Sequence, residues 1–137
     1  MNIKPKKLYY RQQVLLSLIQ SFGGQLPNID LQKYLFLFTQ VCQKEKSYEF
    51  VPFKYGCFSF QSYADRRRLT EFGFLSEADN WVLSDDIDYI SKLKADDARK
   101  LKFFTKKYTS LTGDELIKEV YRQFPYYAIH SEIAEKL

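Results

Sequence analysis

The stretch NIDLQKYLFLFTQVC, residues 28–42, constrains the fold more than any other part of the chain. Leu31, Tyr34, Leu35, Phe38, Val41 and Cys42 recur at helical spacing and form an apolar stripe. Phe36 and Leu37 widen that stripe. A helix apolar over so much of its circumference has to be covered on more than one side, so this segment is expected to be central and to run to about residue 42. Asn28 is suited to cap its start, because its side-chain oxygen can accept a free backbone N–H. Cys42 reads as a small core hydrophobe.

The remaining elements have to pack around that helix. Residues 8–22 predict a first helix, with Leu15, Leu18, Ile19 and Phe22 on one side and Arg11, Gln12, Gln13 and Gln20 on the wetter side. Gly23 and Gly24 end it. QLPN gives a short extended piece. Residues 48–55 read as extended, with Pro52 restricting any strand there to an edge and Gly56 breaking it. Ser59 is placed to cap a third helix over residues 60–72, closed by Gly73, with Leu69 and Phe72 inward. Residues 74–76 and 81–83 form a hairpin around a polar turn. Helices are expected over 95–108 and after the TGDE capping box at 112–115. Pro125 ends the latter, and a short amphipathic tail carrying the single histidine, His130, completes the chain.

The expected fold class is therefore mainly α (α+β). Winged-helix-like helices and a short β-hairpin occupy 8–83, a helical extension occupies 84–137, and the two together form one domain over 1–137. One departure from a winged helix is visible in advance: about sixteen residues, rather than a few, separate the second and third helices.

Charge sharpens the functional reading. Residues 1–74 carry eleven Lys and Arg against five Asp and Glu, a net of +6, whereas residues 75–137 sum to −2. A basic first half suits an acidic partner. Arg66, Arg67 and Arg68 fan across about 200° of the third helix. Local pairing of Asp65 with Arg68 and of Arg67 with Glu71 accounts for two of them and leaves Arg66 over. The candidate nucleic-acid-binding set is Arg66, Arg67, Arg68, Lys54, Tyr63 and Gln61. Lys4, Lys6, Lys7 and Arg11 extend the patch if the first helix lies nearby.

Other chemistry finds little support. One histidine removes the two-histidine zinc motifs, and neither a phosphate-cradling glycine loop nor a nucleophile elbow is present. A Cys57–His130 nucleophile and base has no local support. Asp85, Asp86 and Asp88 could hold a divalent cation, but Ser84 capping a helix with the aspartates at its positive end is the preferred reading. No enzyme activity, metal or cofactor is expected. The apolar runs VLLSLI and YLFLF are too short to span a bilayer, so no membrane partner is expected. The basic start is not followed by an apolar signal region, and Cys42 and Cys57 lack redox or metal spacing, so a cytoplasmic location is expected.

Three segments, LQKYLFLFTQ, FVPFKYGCFSF and LTEFGFL, together resemble the N-terminal helical part of two-domain bacterial proteins of unknown function whose second domain is a small α/β unit. FPYYAIHSEIAEKL resembles the junction before that unit, so the resemblance spans nearly the whole chain. A weaker similarity is to the Panacea (SocA-like) antitoxin domain, carried by KYLFL at 33–37, the YG pair at 55–56 and the helix end at 69–75. The resemblance implies a prokaryotic regulatory or interaction domain of the toxin–antitoxin or phage-defence kind, with no catalytic residue.

Two functions are therefore expected as alternatives. One is a non-enzymatic regulatory module that binds DNA or another polyanion through the basic third helix and the hairpin wing. The other is a protein-interaction domain that binds a partner protein or a second copy of itself through an exposed apolar patch at Trp81 or along 126–133.

Overall fold

The computed structural model describes residues 7–53 and 56–128. Within them the chain is mainly helical, with five α-helices and short antiparallel strands. In order these are α1 (Tyr10–Ser21), β1 (Gln25–Leu26), α2 (Asn28–Leu37), β2 (Val51–Phe53), β3 (Gly56–Phe58), α3 (Phe60–Glu71), β4 (Leu75–Ser76), β5 (Trp81–Leu83), α4 (Ala95–Tyr108) and α5 (Gly113–Gln123). Lys54, Tyr55 and His130 lie outside the described residues.

α1 and α2 are the centre. Every residue from Gln12 to Ile19 and from Asp30 to Leu37 is buried. α4 packs on α1 and on the end of the α2 segment, and α5 packs on α2. Leu101, Phe104, Tyr108, Leu116 and Val120 close the core from that side. Phe22 stacks on Tyr34 at 4.1 Å between ring centroids, and Phe104 meets both rings edge-on. Each large side chain buried this way contributes about 1.5–3 kcal/mol, which is how a chain this size holds together without staples.

The amides of Gln12 and Gln13 are not on a wet face, as their polarity suggests. Both are buried, Gln12 donating to Asp65 and Gln13 to the carbonyl of Tyr89 at 2.9 Å. Tertiary partners satisfy them, so they tolerate the interior.

The central helix does run on to Cys42, but its last turn, Phe38–Cys42, is a π-helix. The Thr39 hydroxyl donates to the carbonyls of Leu35 (2.9 Å) and Phe36 (3.1 Å), and the Gln43 N–H closes the wide turn onto Phe38 O. A wide turn holds an extra residue and rotates everything after it. Val41 is therefore 52% exposed rather than on the apolar stripe, and Cys42 is half-buried.

Two sheets brace the helices. β1, β5 and β4 form an antiparallel sheet in that order, with Leu26 opposite Trp81 and Leu75 opposite Leu83. β2 and β3 form a separate ribbon in which Pro52 faces Cys57. β3 is a strand where the sequence suggested only a break at Gly56. A two-stranded ribbon has only edges, which is where proline is tolerated.

Several expected caps are replaced by long-range ones. Ser59 does cap α3, accepting from the Ser62 N–H at 3.2 Å. Asn28 does not cap α2; its amide donates to the Tyr63 hydroxyl at 2.6 Å and accepts from the Trp81 indole at 2.8 Å. The Thr112 side chain does not cap α5; instead Asp30 of α2 accepts the Gly113 N–H at 3.0 Å. Ser84 precedes no helix, because Asp85 turns the chain locally by accepting from the Ile87 N–H (3.2 Å) and the Tyr89 hydroxyl (2.9 Å).

Candidate functional site

The three arginines of α3 meet three different environments. Arg66 folds back on the hairpin. Its Nη2 donates to the carbonyls of Ala78 (2.7 Å), Asp79 (3.1 Å) and Asn80 (3.1 Å), and its guanidinium lies 4.8 Å over the Trp81 ring. The residue that local pairing left over is thus the one most firmly held, by carbonyls twelve to fourteen residues away. Arg67 points out, but it sits over a cleft between α3 and the hairpin that Glu71, Glu77 and Asp79 also line. Two arginines against three carboxylates leave that cleft net negative.

Arg68 lies on the opposite flank, where its guanidinium rests 5.6 Å over the Phe72 ring. It does not pair with Asp65. That carboxylate is turned inward and accepts from Arg11 Nε (2.8 Å) and Nη2 (3.2 Å), Gln12 (3.2 Å), Tyr48 (2.7 Å) and Gln61 (3.1 Å). Burial alone would raise this carboxyl, but the bonds from Arg11, Tyr48 and Gln12 outweigh it and hold it below the usual aspartate value. The bond to Asp65 in turn raises Arg11.

Arg11, Arg68 and Lys7 line one groove of about 810 Å³ between the start of α1 and α3. The Arg11 guanidinium also lies 4.7 Å over the Tyr9 ring. The groove thus holds three cations, two of them resting on aromatic faces, and one carboxylate whose oxygens are occupied by donors. Its net charge is positive, in contrast with the cleft on the hairpin side. Stacking on Phe72 holds the Arg68 guanidinium in place and leaves its donors available to an anion, whereas the Arg11 fork is taken up by Asp65.

The other candidates divide. Gln61 lies in this groove, though its amide is turned to Asp65. Tyr63 is half-buried, stacked on Phe58 at 4.7 Å and edge-on to Trp81, so its ring is used in packing. Lys54 lies outside the described residues. Trp81 is fully buried, which removes it as an exposed apolar patch. The contribution of Arg11 was legible only as an extension of the basic patch. Its pairing with Asp65 spans fifty-four positions and carries no local signal.

Among the described residues no cluster of His, Cys, Asp and Glu is disposed to hold a metal ion, and no helix is long and apolar enough to cross a membrane. No protein-family model, curated protein or solved structure matches the chain.

Proposed function

We propose that this chain is a non-enzymatic regulatory module that binds a polyanion, most simply a nucleic-acid backbone, in the groove between α1 and α3. The observation that carries this reading is Arg68: exposed, stacked on Phe72, beside Lys7 and Arg11, with the neighbouring carboxylate already occupied. Arginine suits phosphate because its planar fork offers two parallel donors. The order helix–strand–helix and, after the inserted β2–β3 ribbon, helix–strand–strand, with the first strand pairing to the last, supports a winged-helix-like reading with an insertion. The interface proposed here differs from the usual one, since the acidic hairpin turn would repel phosphate and the basic flank lies on the other side of α3. Base-specific contacts form no part of the reading.

Fluorescence anisotropy with a short duplex across a salt series tests it. Affinity is expected to fall as salt rises, with a shallow slope set by the few phosphates involved. Arg68→Ala should weaken binding and Arg67→Ala should not. Salt-independent binding, or the same affinity in both variants, overturns the reading.

A second reading, protein interaction, is favoured by one surface. Val51 faces Phe58 across the β2–β3 ribbon, Phe58 contacts Phe60 at 4.7 Å, and Ile29 lies beside Phe58. Phe60 is 64% exposed, and Ile29 and Val51 are exposed too. Contiguous exposed apolar residues mark contact sites. A concentration series in the analytical ultracentrifuge separates the self-association variant of this idea: association lost in Phe60→Ser supports it, and a monomer at all concentrations removes it.

A further inference from the structure

The two sides of α3 carry opposite charge. Lys7, Arg11 and Arg68 line the groove on the α1 side. Glu71, Glu77 and Asp79 line the cleft on the hairpin side. A helix seated in a duplex has a phosphate chain on each side of it, across a major groove about 12 Å wide. With α3 between them, one chain would meet the cations and the other the carboxylates. A single phosphate chain needs only the basic side.

The groove also carries aromatic surface that phosphate alone would not use. Tyr9 stands at its edge and is 67% exposed. It caps α1 through its backbone, the N–H donating to Gln12 Oε1 at 3.1 Å and the carbonyl accepting the Gln13 N–H at 3.0 Å, so the ring has no part in the cap. Arg11 lies over one face of that ring at 4.7 Å, and the high exposure leaves the other face open. Arg68 makes the same pairing with Phe72 on α3. Tyr10 differs, because its hydroxyl donates to Asp97 at 2.6 Å and accepts from the Lys94 N–H at 3.1 Å, which makes it a fixed wall. Exposed rings and guanidinium planes are surfaces on which unpaired bases stack. In a duplex the base faces are covered by their neighbours and cannot reach such a ring unless they are flipped out.

We propose that the α1–α3 groove takes single-stranded nucleic acid, its phosphates against Lys7 and Arg68 and a base stacked on the open face of Tyr9. This rests on the polyanion reading of the same groove and adds to it the class of strand. Stacking tolerates any base, so no sequence preference is required.

The test is fluorescence anisotropy of the full chain with three labelled probes of one length. These are oligothymidylate, its duplex with oligoadenylate, and an abasic strand that keeps the phosphates and lacks the bases. A matching oligouridylate is run beside them to tell RNA from DNA, and the tighter of the two single strands is the one that has to meet the expectation. That strand should bind at least about tenfold more tightly than the duplex or the abasic strand. Tyr9→Ala should weaken it by at least about fivefold, leave its salt dependence as it was because no charge is removed, and leave the duplex and the abasic strand unaffected. Tyr9→Phe keeps the ring and should bind as the parent chain does. Arg68→Ala should weaken all the probes and flatten the salt dependence. The comparison of probes needs no variant, so the test stands even if one of them does not fold. Equal affinity for the single strand and either the duplex or the abasic strand, or undiminished binding in Tyr9→Ala, overturns the proposal and leaves the polyanion reading standing. Absence of salt-sensitive binding to every probe overturns both.

Discussion

Arg11 grips Asp65 with two parallel contacts, Nε to Oδ2 at 2.8 Å and Nη2 to Oδ1 at 3.2 Å, and so ties the start of α1 to the middle of α3. Tyr48 joins them from the segment between α2 and β2, at 2.7 Å from Oδ2. The carboxylate is buried, while about a third of the Arg11 side chain remains exposed. Asp65→Ala should destabilise the fold by roughly 3 kcal/mol or more, because several donors lose their acceptor at once and two of them, Gln12 and Tyr48, are buried. Urea denaturation measures this directly. A loss below about 1 kcal/mol would mean water replaces the carboxylate at little cost.

The same pair sets an acid limit. The native Asp65 carboxyl lies below the ordinary value of 3.8, so at pH values between the two the unfolded chain binds more protons than the folded one. The contribution of this group is complete above 3.8 and is lost as pH falls through the lower native value. Melting temperature followed downward from pH 5 should show a loss that Asp65→Asn lacks. Identical acid profiles for the two proteins would assign acid sensitivity to other carboxylates.

The three arginines should separate in mutagenesis. Arg66→Ala removes the contacts to the hairpin turn and the stacking on Trp81, so it should cost about 1 kcal/mol and leave polyanion binding almost unchanged. Arg67→Ala should change neither property. Arg68→Ala should leave stability within about 0.5 kcal/mol and weaken binding. Paired thermal melts and anisotropy titrations read both effects, and equal losses of affinity across the three would contradict the division.

An alkaline transition is expected as well. Burial pushes the phenols of Tyr10, Tyr34 and Tyr89 up to about 12, with the Asp97 hydrogen bond adding to the effect at Tyr10 and the charge of Asp30 at Tyr34. The folded state holds these protons more tightly than the unfolded chain, whose phenols titrate near 10. Stability from this source is complete below 10 and declines as pH rises toward 12. Ultraviolet difference spectra should show a group of tyrosines ionising late, together with loss of helix signal. Titration of every tyrosine near 10 in the folded protein would contradict their burial.

The five α-helices, the hairpin and the central place of residues 28–42 follow from local patterns in the chain, whereas the helix expected after Ser84 does not form. Apolar spacing, Ser59 before α3 and the glycines after α1 and α3 act within a few residues of chain, where steric and hydrogen-bonding preferences can be read directly. The sequence also marked the arginine run as the place to look. Only the tertiary structure decided which of those arginines faces solvent unopposed, because that depends on partners far along the chain. Arg11 takes Asp65 away from Arg68, and the turn at Ala78–Asn80 takes Arg66. The inward turn of Gln12, the π turn that swings Val41 outward and the capping of α5 by Asp30 have the same origin. In each case a buried polar group has to find its partner wherever packing brings one within reach, and a spacing rule confined to neighbouring residues contains no term for that.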